Sequence, residues 1–202
     1  AYSFLSTAGF GLLLALTACS SVTSQVQAGR LALQTGRPDE AIVFLTQAAE
    51  HDPDYQLPYR VRESVFTYLG RAYYETGRDA EARRALEQAI ARDKDDPLAR
   101  LYLGLVLARN GEHARGEKEI EAGLENINEA LEYIATDSVY GYHWDPAMRI
   151  RSAIRTTFAA RNGLMEFAAS AQHIGALFDE EIDKARRDEA RNRYGRGGGG
   201  GD

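Results

Sequence analysis

Side chains that could do chemistry are present in this chain, but their spacing does not bring them together. None of the four histidines forms the H-x-x-x-H pair that holds a metal on one helix face: His51, His113, His143 and His173. Asp93, Asp95 and Asp96 lack the glycine and the terminal glutamate of a calcium loop. The sequence therefore predicts no catalytic residues, no metal site and no cofactor, and it does not predict an enzyme.

One reactive side chain, the single cysteine Cys19, stands in a distinctive context. Residues 4–18 are apolar or small, and no charged residue occurs before Arg30. A run of about 15 such residues is short for a bilayer span but typical of the core of a signal peptide. It ends in Leu16-Thr17-Ala18-Cys19, which resembles the lipobox of bacterial lipoproteins. The resemblance implies a signal peptide over 1–18 and a mature N-terminus at Cys19 that carries lipid.

The same resemblance implies a location in the bacterial cell envelope. Ser20, rather than Asp, follows the cysteine, which favours the outer membrane facing the periplasm; residues 19–24 would form the lipidated tether. The sequence departs from the pattern because it begins at Ala1, without Met or a basic segment. The alternative is an uncleaved membrane anchor or a buried apolar helix in which Cys19 is an ordinary buried thiol.

The elements that follow are set by an internal repeat. Leu69-Gly70 recurs 34 residues later as Leu103-Gly104, and Gly77 recurs as Gly111 at the same spacing. An upstream copy has the same seven-residue glycine spacing, at Gly29 and Gly36. Each second glycine is predicted to end a helix in a left-handed conformation, and each first glycine to lie at a close helix crossing. The bulky residues predicted to fill the gap between the two helices are Leu45, Leu86 and Ile120.

This pattern resembles the tetratricopeptide repeat (TPR) family, whose unit is two antiparallel helices in 34 residues. The resemblance implies an all-α fold, a TPR-type solenoid of about three helix pairs over residues 25–135. A generic array of helical hairpins is the alternative. The first two copies are 41 residues apart, so the extra residues near 54–62 are expected to loosen the first joint. The last helix is expected to be long, from Glu112 to Ile134.

The remainder is predicted to be a loop and a helical hairpin. Residues 136–146 form an aromatic loop, and Pro146 stands where the next helix is expected to begin. Apolar stripes predict two helices within 147–194, separated by a turn at Asn162-Gly163, and this hairpin is expected to cap the open end of the solenoid. Residues 195–202 are a glycine-rich tail, which is expected to be flexible.

Binding, rather than catalysis, is the function that these features favour. In TPR arrays the first helix of each repeat lines a concave groove, which the resemblance assigns here to Arg30, Gln34, Tyr68, Arg71, Tyr74, Glu75, Tyr102 and Arg109. Tyr and Arg are enriched at protein interfaces. Some of these residues, alternatively, contact a neighbouring repeat or the C-terminal hairpin. A second candidate interface is the aromatic loop with Tyr140, Tyr142 and Trp144.

Two functions stay open at this point. The first is a membrane-anchored scaffold or adaptor that binds other envelope proteins through the groove. The second is a permanent structural subunit of a larger envelope complex, with the C-terminal helices and aromatic loop as its interface. Neither involves a small-molecule substrate. The net charge of −6 argues against nucleic acid as a partner, because a binder must offset phosphate charge.

Overall fold

The computed structural model describes residues 21–160 and 163–195. Within them the chain forms eight α-helices and one short 3-10 helix over Gly141–His143. The α-helices are α1 Val22–Gln34, α2 Pro38–His51, α3 Val65–Glu75, α4 Asp79–Arg92, α5 Pro97–Arg109, α6 His113–Asp137, α7 Arg149–Ala159 and α8 Leu164–Gly195. The predicted signal peptide, Cys19, Asn162 and residues 196–202 lie outside the described residues.

The first six helices form three antiparallel pairs, and glycine determines where each pair turns. Gly36, Gly77 and Gly111 have φ values of +71°, +74° and +85°, the left-handed region in which glycine alone has no steric cost. Each lies two positions after the last residue of the first helix of its pair. The predicted helix-ending role of these glycines is confirmed.

The close helix crossings that the sequence predicts are also present. A Cβ atom built on Gly29 would lie 2.5 Å from the Leu45 side chain, and one on Gly70 would lie 2.4 Å from Leu86. At Gly104 the nearest atom would be the backbone nitrogen of Ile120, at 2.5 Å. Because a real Cβ cannot approach so closely, only glycine allows the two helices of each pair to pack at this distance.

The extra residues between the first and second repeats fold into a short loop. Leu57 donates its backbone N–H to the Glu63 carbonyl at 2.9 Å, and the Leu57 side chain is buried against α1, α2 and α3. The interior divides near this loop. One apolar cluster lies among α1, α2 and α3, and a second extends from α4 through α8. The two clusters therefore need a connection beyond the stacking of successive repeats.

Two predicted boundaries are wrong. Helix α1 begins at Val22, inside the predicted tether, because the Ser21 hydroxyl accepts a hydrogen bond from the Ser24 N–H at 3.2 Å and caps the helix. Helix α7 begins at Arg149 rather than beside Pro146. The cap there is the Asp145 carboxylate, which accepts from the N–H groups of Ile150 and Arg151 at 3.0 and 3.2 Å.

The C-terminal hairpin is present and extends the predicted cap. Helix α7 packs on α6 at the end of the solenoid, as expected, and α8 then runs back across α5 and α6 towards the first repeat. No helix among residues 21–160 and 163–195 is both long and apolar enough to cross a bilayer.

Candidate functional site

Helix α8 lies in the concave groove that the first helices of the three repeats form. It runs antiparallel to α3: the Tyr74 hydroxyl near the end of α3 meets Gln172 early in α8, at 3.1 Å. Further along α8, the Arg186 guanidinium lies over the Tyr59 ring at 4.6 Å, in the loop before α3. The groove is therefore filled by the chain itself.

An apolar face of α8 contributes most of the energy that holds it there. Phe167, Ile174, Phe178 and Ile182 are all at most 3% exposed and belong to the second apolar cluster. Gly175 lets α8 approach α5 closely, since a Cβ there would lie 2.6 Å from Leu101 Cδ2. Burial of four such side chains stabilises the packing by about 6–12 kcal/mol, at 1.5–3 kcal/mol each.

A buried ion network joins the polar side of α8 to α1 and α3. Asp179 accepts from the Arg30 guanidinium at 2.6 Å and from the Arg71 guanidinium at 3.0 Å. One turn later, Asp183 accepts from Arg30 at 2.7 Å and from the Gln34 amide at 2.9 Å. Arg30 and Asp179 are fully buried. Such pairs contribute little net stability, but they fix the position of α8, because a shift would leave buried charges unpaired.

The electrostatics of Asp179 follow from these contacts. Burial alone would raise the pKa of its carboxyl, but Arg30 and Arg71 favour the ionised form and hold the pKa below its ordinary value. A carboxylate with a lowered pKa stabilises the fold above its unfolded pKa of about 3.9, and this contribution disappears as the pH falls through the folded value.

Two more carboxyl groups are buried at the base of the groove. Burial raises the pKa of Glu63 well above its ordinary value, and Glu63 accepts a hydrogen bond from the Tyr68 hydroxyl. Burial also raises the pKa of Asp96, to about 6. Asp96 caps α5 through the Ala99 N–H at 2.8 Å and accepts from the Thr67 hydroxyl at 2.5 Å. The Asp96 contact joins α5 to α3 of the preceding repeat, whereas the Glu63 contact lies at the start of a single repeat. Both groups have the contacts of structural residues.

The predicted groove residues separate into two sets. Arg30, Gln34 and Arg71 converge on the two α8 carboxylates, and Tyr74 contacts Gln172. The others contact their own or a neighbouring repeat. Tyr68 pairs with Glu63, Glu75 with Arg71, and Arg109 with Asp79, while the Tyr102 ring lies 5.6 Å from the Arg71 guanidinium.

The groove is therefore not an open surface, which corrects the expectation of an exposed concave wall. Arg30, Tyr68 and Tyr102 are at most 1% exposed. The residues that occupy the groove, Asp179 and Asp183, were missed by the sequence analysis. The available signal was their four-residue spacing next to the buried stripe of Phe178 and Ile182. A role of these groove residues in partner binding stays a prediction, and it requires α8 to leave.

The aromatic loop is also less exposed than predicted. Trp144 is 2% exposed, and its indole N–H donates to the Glu189 carboxylate near the end of α8 at 2.8 Å. Trp144 is buried because α8 extends far enough to cover it, and its role at an interface stays a prediction. Tyr140 is half-buried, and Tyr142 is 60% exposed and packs against His143.

One large crevice remains open on the concave side. Its volume is about 670 Å³, and it lies between the end of α1, the start of α7 and the outer face of α8. Leu31, Ile150 and Leu177 provide apolar lining, and Gln34 from the predicted groove set also reaches it. Its charged residues carry both signs: Asp145, Arg149, Glu180, Glu181, Asp183, Lys184 and Arg187.

No group of three or more His, Cys, Asp or Glu side chains within the described part of the chain is placed to hold a metal ion.

The repeat region of this chain matches a known family over part of its length. Residues 32–100 match the family model described as Tetratricopeptide repeat. A solved structure titled "Crystal structure of MamA" is 18% identical, with a TM-score of 0.46, over 84% of this chain and 81% of that chain. A comparison with curated proteins gives no match. The fold is a TPR-type α-solenoid with a C-terminal helical hairpin.

Replacement of Asp179 by Asn tests the ion network. The variant keeps the shape of the side chain but leaves two buried guanidinium groups short of a charge, so we expect a loss of about 3 kcal/mol or more in the free energy of unfolding. Glu40→Gln is the matched control, because the Arg37–Glu40 pair is half exposed on both sides and should contribute under about 1 kcal/mol. Urea unfolding at neutral pH measures both.

The pH dependence of the free energy of unfolding gives a second test of Asp179. The stability difference between wild type and Asp179→Asn should shrink as the pH falls below the ordinary carboxyl pKa of about 3.9. Equal losses in the two variants, or a difference that does not change with pH, would contradict the assigned role of Asp179.

Proposed function

We propose that the chain is a protein-interaction scaffold of the bacterial cell envelope. In this proposal, lipid on Cys19 holds it at the outer membrane, facing the periplasm. The TPR-type helix pairs support the interaction role, because such repeats serve to present a binding surface. The apolar run ending in Leu16-Thr17-Ala18-Cys19 supports the anchor.

The cost of releasing α8 favours one surface over the other as the proposed partner site. A partner of micromolar affinity gains about 8 kcal/mol on binding. Release of α8 would cost a similar amount in apolar burial alone, about 6–12 kcal/mol. It would also leave Arg30 without its two carboxylate partners and Arg71 with Glu75 alone. We therefore propose that α8 stays in the groove and that the partner binds to what remains of the concave side, the open crevice of about 670 Å³.

The chemistry of the crevice suits a segment of another protein. Leu31 is 56% exposed at its edge, although it is a large apolar side chain, and Leu177 and Ile150 continue the apolar lining. The charged rim, with residues of both signs, would orient the segment more than it would add affinity. A crevice of this kind fits an amphipathic helix or an extended segment with a few apolar anchors.

The alternative function, a permanent subunit with the C-terminal helices and aromatic loop as interface, has less support. The apolar faces of α7 and α8 are already buried within the chain, through Ile150, Ile154, Phe178 and Ile182. Trp144 is buried as well, so Tyr142 is the most exposed aromatic residue of the predicted interface.

The anchor is tested by replacement of Cys19 with Ala in cells that process lipoproteins. The variant cannot receive a diacylglyceryl group, so we expect it to appear in the soluble fraction or as an unprocessed chain. Intact-mass measurement of the wild type should show a chain that begins at Cys19 and carries lipid. An unbroken wild-type chain with a free Cys19 thiol would contradict the anchor.

The crevice is tested with a photo-crosslinking amino acid at Leu31 or at Val43, expressed in cells. The two residues are exposed to the same degree, 56% and 55%, but Val43 lies on α2, outside the crevice. We expect a discrete crosslinked species from position 31 that is absent from position 43, and that is lost when Leu177 is replaced by Glu. The same adducts from both positions would refute the crevice as the partner site.

A further inference from the structure

Three large apolar side chains are exposed together where α6 ends and the aromatic loop begins. Tyr133 is 68% exposed, Val139 is 78% exposed and Tyr142 is 60% exposed. Single exposed apolar residues are common, but three within ten residues of chain form a patch that needs a function. We call Tyr133, Val139 and Tyr142 the terminal patch.

The terminal patch lies at the end of the solenoid where α1 begins. The glycine turns at Gly36, Gly77 and Gly111 are all at the opposite end, because the six helices alternate in direction. At the end where α1, α3 and α5 begin, the Asn126 amide donates to the Asp95 carbonyl at 3.1 Å. This contact places Asn126 level with the start of α5. Helix α6 continues from there to Asp137, about 16 Å at 1.5 Å per residue.

Contacts also connect the patch laterally to the first turns of α1. The Gln27 amide donates to the Tyr59 hydroxyl at 2.7 Å. The next residue, Arg60, lines a small crevice with Tyr133 and pairs with Glu189 at 3.2 Å. The Asn192 amide at the end of α8 donates to the Tyr142 hydroxyl at 3.1 Å. A chain of contacts through Tyr59 and Arg60 therefore links the second turn of α1 to the terminal patch and to the end of α8.

We propose that this end of the molecule rests on the lipid headgroups, with Tyr133, Val139 and Tyr142 in the membrane interface. The inference rests on the proposed lipid at Cys19. Helix α1 is capped at Ser21, only two residues after Cys19, and two residues span at most about 7 Å. A tether so short holds the beginning of α1, and the surface beside it, against the bilayer.

The chemistry of the patch agrees with a lipid surface. Tyrosine is enriched at membrane interfaces because its ring is apolar and its hydroxyl reaches water. The end of α8 adds Arg191, which pairs with Asp188 at 3.5 Å. Its side chain is 78% exposed, so it can also contact lipid phosphates. A protein partner on the patch would have to fit into the few ångströms that the tether leaves, so lipid is the occupant that this geometry favours.

The test places an environment-sensitive fluorophore on an introduced cysteine in the mature, lipidated protein. Val139→Cys reports on the patch, and Asn110→Cys, an exposed residue at the opposite end, is the matched control. Lipidation converts the Cys19 thiol to a thioether, so each variant should take one label per chain. The proteins are reconstituted into phosphatidylethanolamine–phosphatidylglycerol vesicles that contain a nitroxide-labelled lipid.

We expect a blue-shifted label at position 139 that the nitroxide lipid quenches several-fold more strongly than the label at 110. Equal quenching of the two labels would overturn the membrane contact while leaving the anchor intact. A patch label that stays aqueous on vesicles and becomes shielded only with a protein partner would overturn it too. Two labels per chain would show a free Cys19, and the anchor and the membrane contact would then both fail.

Discussion

The architecture depends on the placement of one acidic side chain, Asp179, between Arg30 and Arg71. These three residues belong to α8, α1 and α3, and their contacts join the last helix of the chain to the first repeat. The interior is divided into two apolar clusters near the loop of residues 52–64. Because α8 packs in the second cluster and pairs with residues beside the first, it connects the two.

Apolar burial and charge have different roles in this arrangement. The apolar face of α8 provides the free energy, since each large side chain that leaves water contributes kilocalories while a buried ion pair contributes little net. The charges provide position, because Arg30 reaches Asp179 and Asp183, and Arg71 reaches Asp179, only when α8 lies in the groove. Together they convert the concave side of a TPR-type solenoid into interior, and the crevice around Leu31 is the surface that we propose for a partner.

Local rules explain why part of this structure follows from the sequence. The glycines at 36, 77 and 111 adopt left-handed conformations because a helix must end there, and Gly104 lies at a crossing where any Cβ would meet the backbone of α6. Such requirements involve residues close in sequence or repeated at a fixed period. The three helix pairs, the long α6 and the C-terminal hairpin were predictable for this reason.

Long-range pairing explains what the sequence does not reveal. Arg30 and Asp179 are separated by 149 residues, and no local pattern distinguishes a carboxylate that faces a buried arginine from one that faces water. The start of α7 depends on Asp145, which has a φ of +45°. Its carboxylate caps the helix from four residues before Arg149, outside the position of an ordinary N-cap residue. The burial of Trp144 depends on how far α8 extends. The sequence does not define that length, because the apolar residues of α8 give way to charged residues from Asp183 onward.

Native-state hydrogen exchange can measure whether α8 is a permanent part of the groove. If α8 is integral, the amides of residues 171–185 should exchange only when the whole domain unfolds, with the same free energy of opening and the same dependence on denaturant as the amides of α3 and α5. If those α8 amides exchange at a much lower free energy while α3 and α5 stay protected, α8 opens on its own and is not an integral part of the groove.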